Sequence, residues 1–140
     1  MEYKIEVAAT WEGLKPLLHF ADQLDLALNL TPDQSYVLRL VIEESATNIV
    51  KYGYEGLPGV IQVCCTCDAK RLEMVIRDQG KPFDPATHPM PDLSANLYNR
   101  DVGGLGIFLV RELADQVEYR HDANSGWNEL VVVKQAPKEG

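Results

Sequence analysis

The chain has 140 residues, 46% of them hydrophobic, which suffices for one compact core and leaves no room for two ordinary domains, so a single domain over 1–140 is expected. A net charge of -8, with no stretch that concentrates Lys and Arg among aromatics, argues against nucleic acid as a partner. No run approaches the roughly 18 apolar residues of a membrane helix, and the leading MEYKIEVAAT alternates like a strand without a signal peptide's apolar centre, so a cytosolic (cytoplasmic) protein with no membrane partner is expected.

Lys4 to Ala9 alternates and reads as a strand. Leu14, Leu17, Leu18, Ala21, Leu24 and Leu28 then recur at helical spacing. A second helix opens at Thr31, Pro32, Asp33, Gln34: a capping hydroxyl, a proline in the first helical place, and a Gln three residues after the cap to return the hydrogen bond. At about 100° per residue, Val37, Val41, Glu44 and Asn48 fall within one narrow arc, while Arg39, Glu43 and Thr47 project from a more polar side. Glu43 therefore reads as a solvated acid, and Glu44 as a carboxylate at the margin of the core beside Asn48. A polar group there costs roughly 1–3 kcal/mol unless it finds a partner. A ligand held in a cleft and an ordinary i,i+4 polar pair at a helix edge both satisfy that demand, and spacing alone leaves the two open.

Gly53, Gly56, Pro58 and Gly59 are expected to end this helix, and two strands to follow, Val60 to Cys67 and Leu72 to Asp78, joined by a turn around Asp68 to Lys70. Cys65 and Cys67 would share one strand face and Cys64 the other. An odd count with no histidine close by gives neither a disulfide framework nor a metal shell, and small hydrophobes are the better reading. His19, His88 and His121 are scattered and read as structural or surface residues.

Leu72, Met74, Ile76 and Asp78 point the same way, so an inward apolar row ends in a carboxylate that either caps the next loop or reaches a buried donor. Gly80 follows within DQGKPFDP and permits close approach of backbone to a ligand, although a tight strand-ending turn would use it equally. The stretch ATHPMPDLSANLYNRDV has no sustained period and suggests a long mobile loop. It leads into Gly103, Gly104 and Gly106, directly before the helical pattern of Ile107, Val110, Leu113 and Ala114. Such glycines let backbone N–H groups converge on an anion or simply start a flexible helix. Two closing strands, Val117 to His121 and Asn128 to Lys134, should meet at a turn near Asn124, Ser125 and Gly126.

The order of these features is more specific than any one of them. A helix with ExxxN, a strand ending in DxGxPFD, a pliable loop and GGxG opening a helix resemble the N, G1 and G2 boxes of the GHKL ATP-binding superfamily, which includes gyrase and the sensor histidine kinases. From Ile5 to Lys134 the chain looks like the small anti-sigma factor serine kinases of the RsbW and SpoIIAB type. The resemblance implies an α+β fold, a two-layer sandwich of the Bergerat type with a mixed, mostly antiparallel sheet, helices on one face and a mobile ATP lid. It implies ATP and Mg²⁺ as cofactors, with Asn48 coordinating the metal and Glu44 acting as general base toward the attacking hydroxyl. Asp78 would accept from the adenine amino group and Gly80 would leave room for the ring. Asn128 would lie near the base, Gly103, Gly104 and Gly106 would lead the phosphates onto helical N–H groups, and Arg100 would be a lid cation near the terminal phosphate.

The implied function is an anti-sigma regulator that phosphorylates an anti-sigma antagonist. A sigma factor and a STAS-type antagonist would be its partners, in a homodimer. The alternative is a nucleotide-binding partner-switch module with little or no kinase activity. Tyr52 stands where many relatives have a histidine, and Leu105 is an uncharged centre of the second glycine box. Both departures put catalytic rate in question more than nucleotide binding.

Overall fold

The computed structural model describes residues 2–82 and 109–136. Its elements run β1 (Glu2–Ala8), α1 (Leu14–Leu28), α2 (Pro32–Asn48), a π-helical turn (Ile49–Gly53), β2 (Val60–Asp68), β3 (Arg71–Asp78), β4 (Gln116–His121) and β5 (Asn128–Gln135). The five strands form one sheet in the order β1-β2-β3-β5-β4. All four pairings are antiparallel, so the mixed sheet expected from the resemblance is corrected for the described residues.

The spacing of leucines along α1 buries Leu17, Ala21 and Leu24 together with Phe20. Asn29 closes that helix in the left-handed conformation at φ 50, and its N–H bonds back to the Asp25 carbonyl. At the start of α2 the capping box forms as expected. The Thr31 hydroxyl accepts from the Gln34 N–H at 3.2 Å, and Gln34 Oε1 accepts from the Thr31 N–H at 3.1 Å. Gln34 is buried, and its amide also donates to the carbonyls of Lys70 (2.8 Å) and Lys134 (3.2 Å), tying the helix start to the sheet.

Val37, Leu38, Val41, Ile42 and Ala46 of α2 join the α1 side chains in one core with Ile61, Val63, Cys65, Leu72, Met74, Ile76 and Val132 of the sheet. Burial of each large aliphatic side chain contributes about 1.5–3 kcal/mol, which holds both helices on this side of the sheet. The strands alternate accordingly: Leu72, Met74, Ile76 and Asp78 are all buried, in the row the sequence predicts. Cys65 is the fully buried cysteine, while Cys64 and Cys67 are only partly covered. Among the described residues no group of three or more His, Cys, Asp and Glu could hold a metal ion.

Element boundaries move by a residue or two. The β2–β3 hairpin pairs Asp68 with Arg71, leaving a two-residue loop, Ala69 and Lys70, at φ 50 and 68. Positive φ at both loop residues matches the right-handed twist of the flanking strands, even without glycine. The larger difference follows Asn48, where the helix continues as a π turn before Gly53 ends it. Of the long loop and the glycine-led helix, Arg100, Gly103, Gly104 and Gly106 lie outside the described residues, as does the lid. Residues 109–113 are helical, and Val110 there is buried against the core. No helix among the described residues is long and apolar enough to cross a membrane.

Candidate functional site

A cleft opens where the C-terminal end of α2 meets the ends of β3, β4 and β5, lined by Ser45, Asn48, Ile49, Gly53, Ile76, Asp78, Lys81, Tyr119, Asn128 and Leu130. Asn48 and Asp78 face it from different elements. Asn48 is buried at the end of α2 and lines the cleft from the helix side. The π turn that begins at Ile49 lets the helix bulge here, and such bulges recur at functional sites.

Asp78 ends the inward row of β3 and is 7% exposed. Its Oδ2 accepts from the Gly80 N–H at 2.9 Å and from Asn128 Nδ2 at 3.2 Å. Burial raises the Asp78 pKa, while the Gly80 and Asn128 hydrogen bonds pull it back; the net direction is upward. Asn128 Nδ2 also donates to the Gly80 carbonyl at 2.8 Å, and Asn128 Oδ1 lies 3.1 Å from the Tyr119 hydroxyl and 2.6 Å from His121 Nδ1. Of the two readings left open for Asp78, both hold: its carboxylate caps the turn and meets a buried donor.

Gly80 has a structural reason of its own. A Cβ there would stand 2.5 Å from the Gly53 carbonyl carbon and 2.7 Å from its oxygen, so the 78–81 turn lies directly on the end of the π turn. The Lys81 N–H donates to the Gly53 carbonyl at 2.6 Å. Tyr54 completes the clasp: its hydroxyl donates to the Val60 carbonyl (2.7 Å) and accepts from the Gln79 N–H (2.8 Å).

Glu44 stands one turn before Asn48, and it is not among the described residues that line the cleft. Its carboxylate is half-buried, and its Oε2 has no hydrogen-bond partner among the described residues. Burial, then the neighbouring Glu43 charge, lifts its pKa to about 7, against a smaller opposing pull from Lys51. A carboxyl poised near neutrality accepts a proton far more readily than an ordinary acid would.

The structure thus joins Asn48, Asp78 and Asn128 around one cleft, keeps Gly80 off its lining as a donor to Asp78, and sets Glu44 a helical turn away. Sequence reasoning passed over Tyr119, His121, Ser45 and Lys81. The first two were legible in principle, because strands of the predicted extents pair His121 with Asn128 and place Tyr119 on the same face.

The residues present fit a purine nucleotide with a divalent cation: a buried carboxylate whose Oδ2 takes both of its hydrogen bonds, and a buried carboxamide that lines the same cleft. Residues 7–134 match the profile of the histidine kinase-like ATPase domain. The serine/threonine-protein kinase BtrW of Bordetella bronchiseptica is 24% identical over 136 residues, 96% of this chain and 94% of that protein. The serine-protein kinase RsbW of Halalkalibacterium halodurans is 31% identical over 102 residues, 69% of this chain and 61% of that protein. The anti-sigma F factor of Clostridium acetobutylicum is 22% identical over 107 residues, 76% of this chain and 72% of that protein. With a match running from β1 to the end of β5 and a cleft at the tip of α2, the chain belongs to the histidine kinase-like ATPase family.

Proposed function

We propose that this protein is a Mg-ATP-dependent protein serine/threonine kinase that binds a sigma factor and phosphorylates a STAS-type antagonist of its own action. The observation that carries the proposal is the pairing of a buried Asp78 with a buried Asn48 across one cleft, a turn away from a carboxyl with a pKa of about 7. The names of the relatives, two protein kinases and an anti-sigma factor, support the acceptor and partner classes. A homodimer in the cytoplasm is part of the same reading.

In this proposal Asp78 receives the exocyclic amino group of adenine, and Asn48 holds Mg²⁺ beside the phosphates. The bound cation would supply charge neutralisation for the transferring group. Glu44 takes the proton of the acceptor hydroxyl, which its raised pKa equips it to keep. Arg100 and the N–H groups after Gly103, Gly104 and Gly106 are proposed as donors to the phosphates. Phosphoryl transfer needs positioning and electrostatic stabilisation rather than covalent help, and this set is sufficient.

The position of Glu44 favours a second reading. A carboxylate outside the cleft lining, with Tyr52 and Leu105 at two further positions, suits a nucleotide-dependent partner switch that transfers phosphate slowly or not at all. Labelled ATP, Mg²⁺ and a serine-bearing STAS antagonist separate the two. For a kinase, Glu44→Gln retains nucleotide and loses transfer, while Asn48→Ala loses the Mg²⁺-dependent part of binding. Wild-type transfer by Glu44→Gln would remove the general-base role. Absence of transfer by the wild-type chain, with ATP bound, would leave the switch.

A further inference from the structure

The β4–β5 and β3–β5 registers place His121, Asn128 and Asp78 in one row across three neighbouring strands. The row runs from an exposed edge to the floor of the cleft, and directly opposed residues in such a row touch. Its chemistry has a single consistent assignment. Asp78 Oδ2 and the Gly80 carbonyl can only accept from Asn128, so the amide nitrogen must face them. The amide oxygen then faces the Tyr119 hydroxyl and His121 Nδ1, and both must donate to it. Two donors on the nitrogen and two bonds at the oxygen exhaust Asn128, which is 2% exposed. It has nothing left to offer a base.

We infer that Tyr119 and His121 are positioning residues for base selection: from the edge strand they lock the Asn128 carboxamide in one orientation, and Asn128 thereby turns Asp78 so that its remaining oxygen faces the cleft as an acceptor. This rests on the proposal that the cleft binds ATP, and it moves Asn128 from beside the base to behind Asp78. The ligand feature read through the relay is an amino group at position 6 of a purine. Strand pairing alone does not require it, since backbone hydrogen bonds already join β4 to β5 and an exposed edge position tolerates many side chains. The relay also fixes the His121 tautomer, because Nδ1 must carry the proton that Asn128 Oδ1 accepts.

Two measurements on the full chain test it. ¹⁵N spectra of the nucleotide-free protein above pH 8 should show His121 protonated on Nδ1, and a proton on Nε2 overturns the relay whether or not nucleotide binds. Titration with ATP and with inosine triphosphate, which carries an oxygen at position 6, gives a discrimination ratio. His121→Val should lower that ratio about fivefold, the worth of roughly one hydrogen bond. His121→Asn, whose amide nitrogen can take the place of Nδ1, should restore most of it. An unchanged ratio in His121→Val overturns the inference. A wild-type chain that binds neither nucleotide, with the Nδ1 tautomer present, overturns the proposed function and with it the selective use of the relay.

Discussion

The two walls of the cleft are built on opposite principles. On the sheet side Asp78, Asn128, Gly80, Tyr119 and His121 are joined in one hydrogen-bond network, in which Asp78 takes part through Oδ2. On the helix side Glu44 Oε2 is a polar atom that no described residue answers, one turn before the cleft-lining Asn48, in a helix that widens into a π turn. A saturated hydrogen-bond network is rigid without a ligand and selects by shape and polarity. An unsatisfied group costs stability in the free protein and recovers it when a ligand arrives. Under the proposed function the contrast would divide recognition from chemistry: the sheet would choose the molecule, and the helix would act on it.

The largest expected effect breaks the sheet side. Asp78→Asn keeps the size of the side chain but can serve only one of its two audiences. If its oxygen accepts from the Gly80 and Asn128 donors, its NH₂ meets the ligand's own amino group, donor against donor. We expect ATP affinity to fall on the order of 100-fold, since a hydrogen bond to a charged group is worth roughly 1.5–3 kcal/mol. Melting temperature should change little, which isothermal titration beside a thermal melt can establish. Undiminished ATP binding would move base recognition away from Asp78.

Gly80→Ala attacks the seam between the two walls. The added methyl would overlap the Gly53 backbone, which belongs to a turn and cannot rotate away like the tip of a side chain. A destabilisation of about 1–3 kcal/mol is expected by urea unfolding, typical of a group forced into filled space. Because the 78–81 turn carries the Gly80 N–H that holds Asp78, nucleotide affinity should fall with it. Wild-type stability would mean that the turn and the π segment part easily.

Much of this arrangement was legible in the sequence, and what was not has physical causes. The capping box at Thr31 and the inward row ending at Asp78 were readable because each depends on residues close in the chain. Pairing a carboxylate on β3 with an amide on β5 needs the strand order, which local patterns do not contain. The π turn was hidden because Ile49 to Gly53 continues an ordinary helical pattern, and the extra residue in its hydrogen-bonded ring answers to tertiary packing. Gly80 was noticed for the right conformational reason, but its neighbour proved to be the protein's own backbone. His121 was set aside as a surface residue although the predicted hairpin opposes it to Asn128, because register alone does not show that its ring reaches the amide oxygen.

The smallest expected effect probes the helix side through pH. The Glu44 carboxyl ionises at about 7 in the fold against an ordinary value of 4.5, so the folded chain keeps its proton over a range in which the unfolded chain has released it. Folding stability is therefore full below the unfolded value and declines as pH rises toward the folded one, levelling off beyond it. The site is half-buried and solvent screens part of the penalty, so a loss on the order of 1 kcal/mol is expected across that interval. Glu44→Gln has no charge to desolvate and should flatten this decline, making the variant the more stable protein at pH 8 and equal to wild type near pH 4.5. Glu43→Gln removes only the neighbouring charge and should flatten a smaller part, in keeping with burial as the leading cause. Urea midpoints for the three proteins over this pH range provide the measurement. If Glu44→Gln kept the wild-type slope, the titration would belong to another group, and the helix would lose the desolvated carboxyl, one turn from the cleft, that distinguishes it from the sheet.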